Sequence, residues 1–209
     1  MPGILEPTVE KYLSSLLPAR DEVLADMERY AKEHDIAIIG PDCGRLLYLM
    51  ARISGAKRIF EMGSAIGYSA IWFARAAGPG AEIHCTDGDP ANAELARKNF
   101  ERAGVGKSVR FMTGEAVDLI DSVEGTFDII LIDVYKRQYP AALKKSLPRL
   151  TSGGLLITDN VLWSGKVTQE PKDDDTRGIL EFNRTVYGAP ELFPVIVPLR
   201  DGVAICRKS

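Results

Sequence analysis

The sequence is poor in the residues from which many catalytic and metal sites are built. It has two histidines and three cysteines among 209 residues, and no pair of the cysteines has a metal or redox spacing. A catalytic triad or a histidine-rich zinc site would have to use His34 or His84, and neither lies in such a motif. We therefore predict that Cys43, Cys85 and Cys206 are reduced, buried thiols.

Long hydrophobic runs and an excess of positive charge are also absent. No window reaches membrane-spanning length, and Met1 to Lys11 lacks the apolar core of a signal peptide, so we expect a cytoplasmic protein with no membrane partner. Acidic residues outnumber basic ones by 29 to 26, which gives a net charge of −3 and a pI of about 5.5. Since nucleic acids and anionic membranes attract basic proteins, we expect no nucleic-acid partner unless a local basic patch exists.

What the chain does have is the composition of an ordinary globular domain. Hydrophobic residues make up 45% and charged residues 26%, a balance typical of soluble proteins. The length suits one domain. We predict a single domain over residues 1–209, with helices in residues 1–56 and a sheet in residues 57–209.

The N-terminal part has the pattern of helices. Pro18 can open a helix at its first turn, and apolar residues then recur at helical spacing up to about His34. A second apolar stretch from near Asp42 to Ile53 predicts another helix, with Gly55 as its stop.

From Lys57 onward, short apolar runs alternate with helical stretches. The predicted strands are Arg58–Met62, Glu82–Thr86, Val109–Thr113, Phe127–Asp133 and Gly154–Thr158. The predicted helices are Ser69–Ala77, Pro90–Ala103, Glu115–Ile120 and Tyr139–Leu147, with a last helix around Ile179 to Phe182. This alternation indicates an α/β fold with a parallel sheet. The end differs, because Phe193–Leu199 and Val203–Arg207 predict an antiparallel hairpin about the turn Asp201-Gly202.

Two motifs near the start of the predicted sheet point to a cofactor. The segment Glu61–Ser69, E-M-G-S-A-I-G-Y-S, joins a strand to a helix, where glycines allow a tight turn and free N–H groups can meet a ligand. It is not G-x-G-x-x-G, and a plain tight turn is the alternative. Asp87 ends the next strand, where an acid commonly binds ribose hydroxyls. Together they indicate an adenosine-containing cofactor, whereas Asp89 precedes Pro90 and is predicted to cap a helix.

A third group of residues suggests a metal. Asp133 ends the predicted central strand, and Asp159 and Asn160 end the strand that follows it. The ends of parallel strands share one edge of a sheet, where ligands bind. Two carboxylates and an amide oxygen suit Mg²⁺, Mn²⁺ or Ca²⁺. The alternative is that Asp133 and Asp159 are separate helix caps or turn residues, although Lys136 lies close by.

These motifs resemble those of the cation-dependent, S-adenosylmethionine-dependent O-methyltransferases related to caffeoyl-CoA and catechol O-methyltransferases. The matching stretches are E-M-G-S-A-I-G-Y-S, T-D-G-D-P, D-V-Y-K-R-Q-Y and T-D-N-V-L-W-S-G-K-V. The resemblance runs from about Ile39 to the final D-G-V hairpin. It implies a doubly wound, Rossmann-like class I methyltransferase sheet with an antiparallel last strand, preceded by N-terminal helices. It also implies S-adenosylmethionine as cofactor, a divalent cation such as Mg²⁺, and a homodimer.

The resemblance further implies a role for each matched position. The cofactor-binding residues would be Glu61, Gly63, Ser64, Gly67, Ser69, Asp87, Glu115, Ala116 and Asp133. The metal ligands would be Asp133, Asp159 and Asn160. Lys136 would be a general base or electrostatic helper beside Asp133, and Trp163 and Ser164 would contact the substrate.

The chain departs from the family pattern at two of these positions. The family usually has D-A-D-K where this chain has D-V-Y-K, so Tyr135 replaces a carboxylate that would touch the cofactor. Ser164 stands where plant members often carry an asparagine that contacts substrate. The chain also looks shorter at its ends and loops than the plant enzymes. We therefore expect a small catechol-type acceptor, a vicinal aromatic diol, rather than a CoA thioester.

Two other functions remain as alternatives. A nucleotide-binding dehydrogenase would use the same sheet but give no role to Asp133, Asp159 or Asn160, and the glycine spacing argues against it. An RNA methyltransferase is disfavoured by the acidic balance and by the lack of a basic run with aromatics. The polar, acidic stretch Ser164–Asp175 is a candidate surface lid.

Overall fold

One mixed sheet organises the fold. A computed structural model describes residues 4–209, so the first three residues of the Met1–Lys11 segment lie outside it. Within the described residues, seven strands are ordered β3-β2-β1-β4-β5-β7-β6. The strands are β1 (Arg58–Met62), β2 (Glu82–Asp87), β3 (Val109–Thr113), β4 (Phe127–Ile132), β5 (Leu150–Thr158), β6 (Leu192–Val197) and β7 (Val203–Lys208).

The pairing confirms the predicted α/β architecture. Strands β1 to β5 pair in parallel, whereas β7 runs antiparallel to both β5 and β6. The helices are α1 (Pro7–Ser15), α2 (Glu22–Glu33), α3 (Gly40–Ser54), α4 (Tyr68–Ala77), α5 (Pro90–Arg102), α6 (Ala116–Leu119), α7 (Tyr139–Ser146) and α8 (Asp174–Gly188). No helix within residues 4–209 is long and apolar enough to cross a membrane.

The sheet is buried on both faces. On β4, Ile129 and Leu131 belong to an apolar cluster that includes side chains of α2 to α5. Ile130 and Ile132 belong to a second cluster with α7 and α8 on the opposite face. The apolar F-D-I-I-L-I-D run is therefore a central strand, as predicted from its lack of polar alternation. The three cysteines are free and buried, as also predicted.

The clearest differences from the predicted boundaries lie at α2, β5 and the β6–β7 turn, whereas most other elements differ by one or two residues. Helix α2 begins at Glu22 rather than at Pro18, because the Asp21 carboxylate accepts hydrogen bonds from two N–H groups of its first turn and caps it. Strand β5 begins at Leu150, four residues before the predicted start. The turn between β6 and β7 spans residues 198–202, so it is longer than the two-residue turn predicted from Asp-Gly.

Candidate functional site

The predicted site residues meet at the edge where the parallel strands end, which we call the carboxyl rim. The ends of β2, β1, β4 and β5 lie side by side, because Met62 pairs with both Thr86 and Ile132, and Ile132 pairs with Thr158. The loops that leave these strands carry the cofactor motifs and the candidate metal ligands. Strand register therefore places residues almost a hundred positions apart in sequence at one site.

The glycine turn after β1 is required by close packing of the chain itself. Gly63 has φ +86°, and a Cβ there would lie 2.0 Å from the carbonyl oxygen of Asp133. Gly67 has φ +85°, and a Cβ there would lie 2.4 Å from the Phe100 ring. Packing within the chain is thus sufficient to explain why both positions are glycine, as expected if the segment were a plain tight turn. The same packing brings the turn against the end of β4.

A buried carboxyl group lies at the base of this turn. Glu61 is fully buried, the Ser69 hydroxyl donates to its Oε1, and its Oε2 has no hydrogen-bond partner among the described residues. Burial raises the pKa of Glu61 to about 8, against the lowering effect of hydrogen bonds from Ser69 and Ser64. The site therefore holds a carboxyl whose burial favours the protonated form and whose Oε2 has no hydrogen-bond partner among the described residues.

Asp87 ties the glycine turn to the end of β2. Its Oδ2 accepts the N–H of Ala65 at 3.0 Å, and its Oδ1 accepts the N–H of Asp89 at 2.9 Å and the side-chain amide of Asn92 at 3.1 Å. The Asp89 carboxylate in turn accepts the N–H of Ala91 at 2.8 Å, which confirms that Asp89 caps α5. Asp87 is thus held with its carboxylate at the carboxyl rim.

The loops after β3 and β4 meet on the far side of the turn. The side-chain amide of Gln138 donates to Glu115 at 3.0 Å, and Ala116 is buried at the start of α6. Tyr135 is 65% exposed, and the Arg137 guanidinium lies 4.6 Å from its ring centre. Tyr135 therefore packs with Arg137 at the surface, where a carboxylate would be expected in the family.

The loop after β4 brings a lysine onto the first candidate metal ligand. The Lys136 ammonium donates to Asp133 Oδ1 at 3.0 Å and to the carbonyl of Val134 at 3.3 Å. It also lies 5.4 Å from the centre of the Tyr139 ring. Lys136 is thus a largely buried cation at the carboxyl rim, and its hydrogen bonds go to residues close to it in sequence.

The second candidate ligand is a buried acid with a free oxygen. Asp159 is buried, its Oδ1 has no hydrogen-bond partner among the described residues, and its main-chain carbonyl accepts the Tyr139 hydroxyl at 2.8 Å. Burial, followed by the charge of Asp133, raises the pKa of Asp159. Asn160 follows with φ +55°. No cluster of three or more His, Cys, Asp or Glu side chains able to hold a metal occurs within residues 4–209, and the predicted set contains two such acids and an amide.

The segment after Asn160 carries the two predicted substrate residues. Trp163 and Ser164 have φ +47° and +52°. The Trp163 ring lies 5.8 Å from the Lys136 ammonium and 5.1 Å from the Lys166 ammonium. Further along, the acids at 173–175 form the start of α8, where Asp173 accepts the N–H of Thr176 at 2.7 Å. Only the last three of the twelve residues of the predicted lid thus form a helix start, where acidic side chains are favoured by the helix dipole.

The Ser164 N–H donates to the carboxylate of Asp201, a residue that sequence reasoning assigned to the hairpin turn. No sequence signal marks this contact, because Asp-Gly is a turn signal in its own right. A buried acid beside the predicted substrate residues was therefore missed.

Comparison with known proteins gives a consistent family assignment. A family profile described as O-methyltransferase matches residues 14–209. A catechol O-methyltransferase from Niastella koreensis is 34% identical over 210 residues, covering 95% of each chain. A caffeoyl-CoA O-methyltransferase from Petroselinum crispum is 28% identical, covering 93% of this chain and 87% of the relative.

Comparison with solved structures agrees with this family assignment. An O-methyltransferase from Bacillus cereus, solved in complex with SAH, superposes with a TM-score of 0.88 at 27% identity and covers 97% of each chain. Its likeness extends over the whole sheet and its helices rather than over one motif. The chain belongs to the O-methyltransferase family.

Proposed function

We propose that the chain transfers a methyl group from S-adenosylmethionine to one hydroxyl of a small catechol-type acceptor, with the help of a divalent cation. The observation that carries the proposal is the meeting of Glu61, Asp87, Asp133, Lys136 and Asp159 at one carboxyl rim. The Niastella relative is named a catechol O-methyltransferase, and the Bacillus neighbour was solved with SAH. Both names support the cofactor and the acceptor class.

The residues around the glycine turn fit the two polar ends of the cofactor. The free Oε2 of buried Glu61 offers an acceptor for an ammonium group, which would favour ionisation of this carboxyl. Asp87 is oriented by main-chain N–H groups and keeps lone pairs for ribose hydroxyls. When bound, the sulfonium cofactor supplies an activated methyl group. Glu115 and Ala116 would lie near the adenine, and Ser64 and Ser69 would line the methionine end beside Glu61.

The acids of the carboxyl rim fit a divalent cation. Asp159 has a buried oxygen with no partner among the described residues and a raised pKa, because burial and the charge of Asp133 outweigh the opposite charges of Arg200 and Lys136. A hard cation shared by Asp133, Asp159 and Asn160 would supply compensating charge, and Mg²⁺, Mn²⁺ and Ca²⁺ suit this donor set. Such a cation lowers the pKa of a hydroxyl that it binds. The oxygen ligands available thus match the chemistry that a catechol acceptor needs.

Lys136 supplies the chain's own positive charge at the place where the acceptor oxygen must ionise. Its ammonium is fixed by Asp133 at 3.0 Å, so it can stabilise the negative charge that develops on the acceptor oxygen. To act as a base instead, Lys136 would first release a proton to solvent, and its neutral amine would then accept the proton of the acceptor hydroxyl. The oxygen lone pair then forms the new C–O bond while the C–S bond breaks and its electrons pass to sulfur. The chain must also align the reacting atoms. Trp163 would contribute to this alignment by lining the acceptor site beside Lys136.

A small acceptor is favoured over a bulky one. The chain aligns with 95% of the catechol O-methyltransferase and with 87% of the caffeoyl-CoA enzyme.

A panel of catechol, caffeate and flavonoid diols with labelled S-adenosylmethionine tests the acceptor class directly. We expect turnover of vicinal diols and none of the matching monophenols. Equal turnover of monophenols would contradict chelation of the acceptor.

The metal is tested by replacing Asp159. We expect Asp159→Ala to lose metal-dependent turnover, because it removes the acid with the free buried oxygen. Asp128→Ala is the matched control, since Asp128 accepts two main-chain N–H groups at the opposite end of the sheet. Full activity of Asp159→Ala in the presence of a chelator would overturn the metal assignment.

The cofactor is tested by a thermal shift screen with S-adenosylhomocysteine, NAD and divalent cations. We expect stabilisation by S-adenosylhomocysteine, because a ligand that binds only the folded state raises the melting temperature. Stabilisation by NAD alone would favour the dehydrogenase alternative and contradict the proposal.

A further inference from the structure

The turn between β6 and β7 contains a buried acid that the proposed chemistry does not use. Asp201 is 3% exposed. One oxygen of its carboxylate accepts the Ser164 N–H, and Oδ2 has no hydrogen-bond partner among the described residues. Burying a carboxylate is costly unless it is paired, and a turn residue can fulfil its local role from the surface. The burial of Asp201 therefore calls for a role beyond forming the turn.

The main chain of this turn also holds the segment that follows β5. The Leu162 N–H donates to the carbonyl of Asp201 and the Val161 N–H to that of Gly202, both at 3.0 Å. Gly202 permits the contact, because a Cβ there would lie 2.4 Å from Leu162 Cγ. The turn and residues 160–164, which we call the post-β5 segment, thus pack as one unit.

The post-β5 segment has a backbone that needs such support. Asn160, Trp163 and Ser164 all have positive φ, at +55°, +47° and +52°. This region is uncommon for residues other than glycine, and it persists only where the surrounding structure imposes it. The bond from Ser164 to the Asp201 carboxylate is the side-chain contact that fixes the end of the segment.

The position of Trp163 depends on this anchor. Trp163 precedes Ser164 directly, and its ring centre lies 5.8 Å from the Lys136 ammonium and 5.1 Å from the Lys166 ammonium. Lys136 also reaches Asp133. We propose that Asp201 is a positioning residue, whose carboxylate fixes Ser164 so that the Trp163 indole stands against Lys136 as a wall of the acceptor site. This inference rests on the proposed function, because it places the acceptor beside Lys136.

The first test follows Trp163 without relying on activity. The chain has two tryptophans, so Trp72→Phe leaves Trp163 as the sole indole fluorophore. In this background we expect Asp201→Ala to raise acrylamide quenching of Trp163 at least twofold. Asp201→Asn keeps an oxygen that can accept the Ser164 N–H and should retain the original quenching. Asp128→Ala, which removes a carboxylate bonded to main-chain N–H groups at the far end of the sheet, should also leave quenching unchanged.

A second variant separates loss of the anchor from loss of folding. Ser164→Gly relieves the positive φ, since glycine adopts it readily. The double variant Asp201→Ala with Ser164→Gly should therefore fold even if Asp201→Ala does not. We expect it to be quenched more strongly than Ser164→Gly alone. Equal quenching of these two variants would overturn the positioning role.

The kinetic test distinguishes positioning from general stability. We expect Asp201→Ala to raise the KM for a catechol acceptor at least tenfold, with affinity for S-adenosylhomocysteine within twofold of the wild type. Asp201→Asn should restore the KM to within threefold of the wild-type value.

Two outcomes separate the possible failures. If Asp201→Asn raises the KM as much as Asp201→Ala does while Trp163 stays protected from quenching, the charge of Asp201 rather than its positioning role is responsible, and the inference fails. If the wild type methylates no catechol, the proposed function fails, and the quenching result still decides whether Asp201 holds Trp163.

Discussion

At the scale of single residues, the site is marked by acids whose environment opposes ionisation. Glu61 and Asp159 both have raised pKa values and a buried oxygen without a partner. For Glu61 the first cause is burial, and for Asp159 burial is joined by the charge of Asp133. Perturbed acids of this kind cluster at functional sites, where a bound positive group compensates them. The sequence identified Asp159 from its position at a strand end and Glu61 from the motif that resembles the family's, but it could not show that they are buried.

The raised pKa of Glu61 predicts a pH-dependent stability. Its pKa is about 8 in the folded chain, against 4.5 as its ordinary value. Its contribution to the free energy of unfolding is therefore complete below pH 4.5 and is lost as the pH rises toward 8. Because glutamine does not ionise, Glu61→Gln removes this pH-dependent loss of stability. In the absence of ligands, we expect the variant to gain stability relative to wild type between pH 5 and 8, by at most about 1.4 kcal/mol per pH unit.

Urea unfolding at several pH values measures this difference, and Glu82 provides the control. Its pKa is lowered by hydrogen bonds to Arg58 and His84, so its contribution is present at neutral pH and is lost as the pH falls. Glu82→Gln should thus leave the decline between pH 5 and 8 in place. A Glu61→Gln variant that keeps the wild-type slope over this range would show that Glu61 is already ionised in the folded chain.

At the scale of elements, the sequence predicted strands better than helix starts. Strands β1 and β3 have the predicted bounds, and β4 differs by one residue, because each is a short run rich in β-branched or other apolar residues between turn-forming segments. The start of α2 was misplaced because Pro18 and Asp21 are both good helix openers and the prediction followed the proline, although Asp21 makes the local capping contacts with Val23 and Leu24.

The same distinction applies to the site. Asp133, Asp159 and Asp87 could be predicted because they follow strands, and parallel strands end at one edge. Asp201 could not, because its partner Ser164 is 37 residues away and the contact depends on how two loops pack. Site residues that are positioned by sheet register can therefore be predicted from the sequence, whereas site residues that are positioned by loop packing cannot.

The turn after β1 gives a prediction at this scale. In Gly63→Ala, a Cβ would lie 2.0 Å from the Asp133 carbonyl, so β1 and β4 would have to separate at the carboxyl rim. We expect a loss of roughly 2–4 kcal/mol in the free energy of unfolding, from crowding and from the positive φ together. We also expect S-adenosylhomocysteine binding to weaken at least tenfold, because the displaced turn carries the proposed cofactor residues.

Gly55→Ala is the matched control for this prediction. Gly55 also has a positive φ of +66°, but a Cβ there would meet nothing within 4 Å. The control should lose about 1 kcal/mol from the backbone effect alone and bind S-adenosylhomocysteine normally. Denaturant unfolding and calorimetry measure both quantities. If the two alanine variants lose equal stability, close contact with Asp133 is not what requires glycine at position 63.

At the scale of the whole molecule, α1 stands apart from the core. No residue of α1, Pro7–Ser15, is buried. Val9, Tyr12, Leu13 and Leu16 are 38% to 61% exposed and recur at the spacing of one helix face. The Ile4 N–H donates to the Arg200 carbonyl at 2.9 Å, which places the start of this segment beside the β6–β7 turn. The edge strand β6, which leads into this turn, exposes Phe193 and Val195.

We propose that a second copy of the chain covers these apolar surfaces, in a homodimer. One chain presents both an apolar helix face and an apolar edge strand, so two copies can bury both sets in a two-fold arrangement, and exposed apolar patches commonly mark such contacts. We expect Tyr12→Asp to weaken dimerisation at least tenfold, because it places a charge at the centre of the helix face. Ser14→Asp, on the opposite face of α1, should remain dimeric. Analytical ultracentrifugation over a concentration series measures both, and a monomeric wild type at tens of micromolar, or equal dissociation of the two variants, would contradict the assignment of this surface.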